Sequence, residues 1–500
     1  MIKHINYPIW SVLGRIEHNS SVSLQDQLFL QLRRLIVNGQ ISRGVRLPAS
    51  RSMAQEMGIS RNTVTLVYDR LEAEGYVRRQ TGSGTFVEDR LPEDLLPSSP
   101  NKATALIGSR QIISRRGLSI SSRRADWTRL DRFDFSPGLP ALDIFPYKQF
   151  GSIAANYWRR FAVSDLGYGE GGSLNALQHQ IATYLLEGRG IRCKPEQILV
   201  VGSTLQAATL VSHVLLDVGD LAVVEDPAYA MLLNTFRASG LRLEPLAVSQ
   251  TGIDVDRLHQ NAPDARLAIV SPVGQFPSGA TMTEKAKSSL LDWASANEAW
   301  IFEDDFNSEL RWRGTPSSPL AAMDKFARVI HVSSFNRILA PGLRLAYMVV
   351  PEALIEPFGA AQESLSCYAP LTHQHLVADF MAGGDLASHI RRTRALYKER
   401  SDIMISSLRS ALSDTFAIPD LNVGLHLTLT SLLPIDDVEL AFQLRKVWID
   451  APALSSYCIR RSDLTGLIIG FGNMPAERIE PAVKRMTQVT ERILSKKDGN

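Results

Sequence analysis

The sequence predicts a multidomain chain: a small N-terminal α+β unit built around a helix-turn-helix, then a large α/β unit on a mostly parallel sheet. Three observations predict it. The 500 residues exceed what one hydrophobic core holds. The first ninety residues show helical periodicity that closes on a short hairpin pattern. Beyond residue 133, short β-rich runs alternate with helical stretches, the rhythm of strand-helix crossovers.

In the N-terminal unit, "LQDQLFLQLRRLIVNGQ" sets Leu24, Leu28, Leu32, Leu35 and Ile36 on one helical face and ends at Gly39. A second helix is expected from about Arg51 to Met57, stopped by Gly58. After a tight turn, Ser60 is an N-cap for a third helix, with Thr63 three residues in. Val64, Val67, Tyr68 and Leu71 form its inward stripe, and Gly75 ends it. Two short helices across a Gly-containing turn make a helix-turn-helix over about 51–70. Its exposed first turn, with Arg61, Asn62, Thr63 and Thr65, suits base edges in a major groove, while "YVRRQTGSGTFV" reads as a hairpin beside it. Periodicity alone leaves a plain three-helix domain equally open.

Charge points the same way. Residues 21–90 carry ten Arg and Lys against seven Asp and Glu, and 91–132 carry eight against four, so the remainder is acidic although the whole chain is only +2. A basic front on an acidic body fits a nucleic-acid-binding head. Residues 89–132 hold Pro92, Pro97, Pro100 and the run "SRRGLSISSRRADWTR", and read as a basic flexible linker. No eighteen-residue apolar run and no secretory h-region are legible, and three scattered cysteines suggest neither a disulfide framework nor a metal site. The expected address is the cytoplasm, with no membrane partner.

The strand-like runs of the large unit are "QILVVG", "LAVVED", "LAIVSP", "WIFEDD", "VIHVSS" and "LAYMVV", with helices such as "TLQAATLVSHVLLDV" between them. Loops at the strand ends of such a sheet are available to a ligand.

Two resemblances refine this reading. "RLPASRSMAQEMGISRNTVTLVYDRLEAEGYVRRQTGSGTFV" resembles the winged helix of the GntR family, which covers 21–88 and implies binding to a double-stranded DNA operator. The DNA-contacting positions implied are Arg51, Ser60, Arg61, Asn62, Thr63, Thr65 and, in the wing, Gly84. From 133 to 495 the chain resembles a fold-type I aminotransferase, and the fused version found in the MocR subfamily of GntR regulators. The segments that carry it are "LGYGEGGSLNALQHQIATYLLEGRGIRC", "VVEDPAYA", "SPVGQFPSGATM", "SSFNRILAPGLRLAYMVV" and "HIRRTRALYKERSD". The resemblance implies a smaller C-terminal α+β subdomain, a homodimer, and pyridoxal phosphate as cofactor.

Carried across motif by motif, the resemblance places Asp304 against the pyridine nitrogen and Tyr229 against the ring. Ser203, Thr204, Ser334 and Arg344 fall around the phosphate. Blander readings stay open: Asp304 as a loop cap, Tyr229 as core, Arg344 paired to an internal carboxylate. His389 and His426 match no catalytic role and read as structural. The reactive positions depart from the family. Phe306 stands for a tyrosine that bonds the ring oxygen, Gly274 for a loop histidine, and Ile468 for an arginine that takes an amino acid's carboxylate. Arg337 stands for the lysine that holds the cofactor covalently, and neither Lys285 nor Lys325 lies at the motif. A guanidinium stays protonated and offers no free lone pair to an aldehyde.

The expected function is therefore a transcription regulator. Its large domain lacks catalytic residues and either holds pyridoxal phosphate non-covalently or has lost it, sensing a small-molecule effector or serving as a dimer scaffold. The alternative is a working aminotransferase that carries a DNA-binding head.

Overall fold

A computed structural model of the chain describes residues 22–95, 133–160 and 174–497, together with 13, 14, 16, 17, 114, 116 and 117. The expected linker around Pro97, Pro100 and the Ser/Arg run, and the Tyr168–Gly169 step of the cofactor motif, lie largely or wholly outside the described residues. Contacts divide the chain into two compact units, residues 1–112 and 113–500. Among the described residues, no helix is long and apolar enough to cross a membrane.

The head follows the predicted pattern closely. Helix α1 (Leu24–Val37) starts at Ser23, whose Oγ accepts from the Asp26 amide. Helix α2 (Ser50–Met57) ends at Gly58 in the left-handed region, and α3 (Arg61–Ala73) starts at Ser60, whose Oγ accepts from the Thr63 amide at 3.0 Å. Each cap satisfies backbone groups that a helix end leaves unpaired. Strands β1 (Val77–Gln80) and β2 (Gly84–Val87) form the antiparallel hairpin. Leu28, Leu32, Leu35 and Ile36 pack with Met53, Val64, Val67, Tyr68 and Leu71. The inward stripe differs from expectation at one end: Leu24 is only half-buried in the first turn, and Phe29 is buried instead. The packed head also runs past residue 88. Buried Leu91 and a 3-10 turn at Pro92–Leu95 are tied back by the Arg43–Asp94 ion pair at 2.7 Å, so the first residues assigned to the linker belong to the head's structure.

In the body, α4 (Tyr147–Arg160) and α5 (Asn175–Arg189) precede an eight-stranded sheet. Its strands are β3 (Ile198–Val201), β4 (Leu221–Asp226), β5 (Arg242–Ser249), β6 (Gly252–Ile253), β7 (Leu267–Val270), β8 (Trp300–Asp304), β9 (Val329–Ser334) and β10 (Ala346–Val349). Their spatial order is β3-β10-β9-β8-β7-β4-β5-β6. The run β9-β8-β7-β4-β5 is parallel, while β10 and β6 run against their neighbours. Ile198 and Val200 pack on one face and Leu199 and Val201 on the other, which is why the strands read as unbroken apolar runs. The helices α6 (Thr204–Leu215), α7 (Ala230–Ala238), α8 (Val255–Asn261) and α9 (Glu284–Ala296) connect strands, and α10 (Ile355–Ser364) and α11 (Leu371–Ala382) follow them.

The long α12 (Asp385–Leu412) leads to a three-stranded antiparallel sheet of β11 (Phe416–Ala417), β12 (His426–Ser431) and β13 (Gly466–Gly470). With α13 (Asp437–Lys446) and α14 (Ala476–Lys497), this sheet and α12 enclose a separate core around Tyr397, Leu427, Ile469 and Met486. The architecture is the predicted one: a helix-turn-helix with wing, then a large mostly parallel α/β unit with a smaller C-terminal α+β part.

Candidate functional sites

On the head, the first turn of α3 presents Arg61 and Asn62 to solvent. Thr63 and Thr65 are half-buried and their hydroxyls are engaged locally: Thr63 Oγ1 lies 2.8 Å from Ser60 Oγ, and Thr65 Oγ1 donates to the Arg61 carbonyl at 3.0 Å. Arg51 is exposed, and Arg61 Nε reaches only a marginal 3.5 Å contact with Ser50 Oγ beside it. The wing arginines are instead paired: Arg79 with Asp69 and Glu72, Arg78 with Glu88 and Asp89. Among the described residues, Arg51 and Arg61, at the starts of α2 and α3, make no ion pair. Sequence reasoning missed Arg46, which bridges to Phe86 and lies against the wing. A Cβ on Gly84 would sit 2.6 Å from Arg46 Nε, at a backbone φ of +117°. Gly84 therefore holds the wing by letting a guanidinium lie on its backbone, a role the spacing did not suggest.

In the body, sheet register brings the predicted cofactor residues to one edge. Val201 at the end of β3 faces Ala346 of β10, which faces Ser334 of β9, and Val332 faces Asp304 of β8. The segments 202–204, 304–306, 334–337 and 344–345 therefore emerge together, at the carboxyl ends of the parallel strands where such sheets take ligands. Ser203 caps α6 through the Gln206 amide, and Thr204 opens that helix, so its N-terminal amides face this edge. Ser334 Oγ accepts from the Asn336 amide at 3.1 Å. Arg344, in the left-handed region at φ +49°, is exposed, and none of the described internal carboxylates pairs with it.

Asp304 is buried, and among the described residues its Oδ1 has no hydrogen-bond partner. Burial pushes its pKa up to about 7; Arg337 and His331 oppose the shift and Asp305 adds to it. Arg337 lies across from it. Its guanidinium carbon is 4.7 Å from the centroid of the Phe306 ring, and its Nη2 is 3.5 Å from where a Cβ on Gly138 would be. Arg337 Nη1 is buried without a partner. Burial pulls the guanidinium's pKa down, and Tyr229, Asp304 and Tyr397 counter this.

An apolar wall faces these groups. Phe276, Phe306, Leu454 and Ile468 cluster with Tyr229 and Tyr457, and Phe276 meets Tyr229 and Tyr457 edge to face at 5.9 and 5.2 Å. Ile468 is fully buried in that wall. Gly274 is fixed by its own loop: at φ +61° its carbonyl accepts from Asn307 Nδ2 at 2.6 Å, and a Cβ would lie 3.0 Å from Val423. The two histidines hold loops: His389 bonds the Ile338 carbonyl at 2.9 Å and His426 the Pro277 carbonyl at 3.2 Å.

Sequence reasoning also missed a buried polar network next to the site. Arg189 pairs with Asp305 at 2.6 Å and Glu309 at 3.4 Å, and Tyr184 donates to Glu309 at 3.1 Å. Its two halves, Tyr184 with Arg189 and Asp305 with Glu309, lie more than a hundred positions apart in the chain, so local patterning carries no trace of it. Gly138, by contrast, sits in the local run "FDFSPGLPALDIFP" that opens the large unit at residue 133.

Comparison with known proteins agrees with this anatomy. Residues 24–87 match the family described as bacterial regulatory proteins, gntR family, and residues 162–446 match aminotransferase class I and II. The chain is 32% identical over 472 residues to the probable rhizopine catabolism regulatory protein MocR of Rhizobium meliloti, covering 94% of each. It is 29% identical to the pyridoxine biosynthesis transcriptional regulator PdxR of Corynebacterium glutamicum, covering 90% of this chain and 92% of that one. In fold, it is similar to the kynurenine aminotransferase of Pyrococcus horikoshii, with a TM-score of 0.69 at 24% identity, covering 76% and 97%.

Proposed function

This chain belongs to the MocR family, GntR-type regulators fused to an aminotransferase class I and II domain, and from that premise we propose that its body is a non-covalent anion sensor. The protein is a DNA-binding transcription regulator, as its named relatives are. The observation that carries the proposal about the body is a pair of buried groups, Asp304 Oδ1 and Arg337 Nη1, that have no partner among the described residues and lie beside an apolar cluster that includes Phe306. A buried polar atom without a partner costs about 1–3 kcal/mol, and a ligand that supplies the missing bonds recovers it.

The residues present fit the ring and phosphate of pyridoxal phosphate. Asp304 would accept from the protonated pyridine nitrogen, and Tyr229 and Phe276 would border the ring. The α6 N-terminus, Ser203, Thr204, Ser334 and Arg344 would take the phosphate. When bound, that cofactor supplies an aldehyde and an electron-withdrawing ring. Arg337 fills the place of the attaching lysine. Its protonated guanidinium holds an oxygen by hydrogen bonding and cannot condense with it. Phe306 offers no phenol to the ring oxygen, and Ile468 no charge to an amino acid's carboxylate.

Regulation then requires only that the ligand bind two states of the dimer unequally. The implied homodimer would present two heads to a repeated operator. The test uses full-length protein. Pyridoxal phosphate is titrated while operator affinity is followed, then borohydride is added and the intact mass is measured. Saturable binding without added mass is expected. A reduced adduct mapped to any lysine, or turnover of an amino acid with 2-oxoglutarate, would overturn the reading in favour of a working aminotransferase.

A further inference from the structure

A second cavity of about 520 Å³ opens in the body, apart from the cofactor edge, between the end of α5, the loop after β8 and the first half of α12. Four arginines line it: Arg189, Arg311, Arg391 and Arg394. Arg189 is neutralised by Asp305 and Glu309. The other three are not. Among the described residues the half-buried Arg311 side chain makes no hydrogen bond or ion pair, and its Nη1 rests beside Gly314. Arg394 spends Nε on the Glu309 carbonyl at 2.6 Å, and Arg391 reaches only Ser388 Oγ at 3.0 Å. Among the described residues, these three guanidinium groups converge with no ion pair of their own.

Two further observations point to a ligand. Among the described residues the indole Nε1 of Trp312, which lines this cavity, is buried without a partner, and its N–H is a donor that an oxyanion can satisfy. Native proteins leave few such atoms, and bound molecules are one way of satisfying them. The wall is also held in advance. The fully buried Lys287 donates to Ser317 Oγ at 2.5 Å and the Ser318 carbonyl at 2.6 Å, which pins the lining loop before anything binds. Trp312 and Ile390 add apolar surface for a short carbon frame.

We infer that this cavity is a second effector site that takes a small dianion, gripped by Arg311 and Arg394 with Arg391 at the rim. Guanidinium forks match carboxylate and phosphate oxygens alike, so the shared chemistry is a compact doubly charged oxyanion. The site does not depend on the cofactor reading, because none of its residues belongs to the ring or phosphate cradle. It is nonetheless one residue away along the chain, since Asp305 follows Asp304 and the lining residue Val273 precedes Gly274.

Calorimetric titration of the full-length protein at low salt, with succinate and separately with inorganic phosphate, tests this. Saturable binding of one or both, one per chain, is expected; succinate alone identifies a dicarboxylate ligand and phosphate alone a phosphate ester. Arg311→Gln should weaken it about tenfold or more. Arg391→Gln at the exposed rim should weaken it less, and serves if the first variant misfolds by its melting curve. Arg257→Gln, at an exposed position outside both sites, should leave it unchanged. No binding of either anion, or undiminished binding to both cavity variants, would each overturn the inference, and binding that survives both cavity variants but falls in Arg344→Gln overturns it by assigning the anion to the cofactor edge.

Discussion

Arg61 and Arg337 are the same side chain in two different solvents. Arg61 stands at the exposed first turn of α3, while Arg337 is enclosed between Phe306 and Gly138 near a buried carboxylate. The head keeps its charged groups hydrated until DNA arrives, so its specificity is decided on docking. The body has removed water from its charged groups during folding, so its binding energy is already stored as unsatisfied hydrogen-bonding capacity. The difference teaches that replacing exposed charged groups of the head should change recognition at little cost to stability, whereas replacing buried charged groups of the body should change stability and its pH dependence even without ligand.

The largest effect expected of this contrast is at Asp304. Its carboxyl titrates near 7 in the folded chain, above the ordinary carboxylate range, so between about pH 4 and 7 the folded state binds a proton that the unfolded state lacks. Stability therefore falls as pH rises through that window. Asp304→Asn should reduce this fall, stabilising the ligand-free protein by on the order of 4 kcal/mol above pH 7 and hardly at all near pH 4, as read by denaturant melts across the range. The buried Glu225 carboxyl, likewise pushed up to about 8, keeps a share of the slope, so only a slope undiminished by the substitution would mean the Asp304 carboxylate is solvated.

Next comes Leu32→Ala, which empties a fully buried position under α1. It should cost the head about 2–5 kcal/mol and leave the body's unfolding transition where it was. Were both transitions to shift together, the two units could not be treated as independent. Arg61→Ala should lower operator discrimination by roughly 1–3 kcal/mol in competition anisotropy, with little change in melting. Equal weakening on all sequences would reassign it to the phosphate backbone. The smallest effect belongs to Ser60→Ala, where losing the cap on α3 should cost about 1 kcal/mol of head stability.

The head was almost wholly legible because its determinants are local. A serine cap, a glycine stop and a stripe at helical spacing each act within a few residues, and Ser60, Gly58 and Val64 do what the pattern implied. Arg46 escaped because it meets Gly84 across the wing rather than along the chain. In the body, the strands read as apolar runs where both faces are buried. Strand β5 was not read as such: it contains Pro245, lies next to the edge strand, and mixes exposed and buried positions. The cofactor edge was legible through ordered motifs alone. What surrounds it was not, since the wall of Phe276, Tyr457 and Ile468 and the Arg189–Asp305–Glu309 network join distant segments, and no periodicity encodes a contact across the fold.

Gly138 has a further consequence. At φ +91° it holds a turn that side chains rarely adopt, and that turn comes within van der Waals reach of the Arg337 guanidinium where it extends past the Phe306 ring. On the reading proposed for the body, Arg337→Lys would supply an amine, yet that amine would meet a ring with no hydroxyl at Phe306 and no charge at Ile468. On that reading turnover would take changes at several of these positions together, so single steps in sequence would alter what the body detects sooner than make it an enzyme.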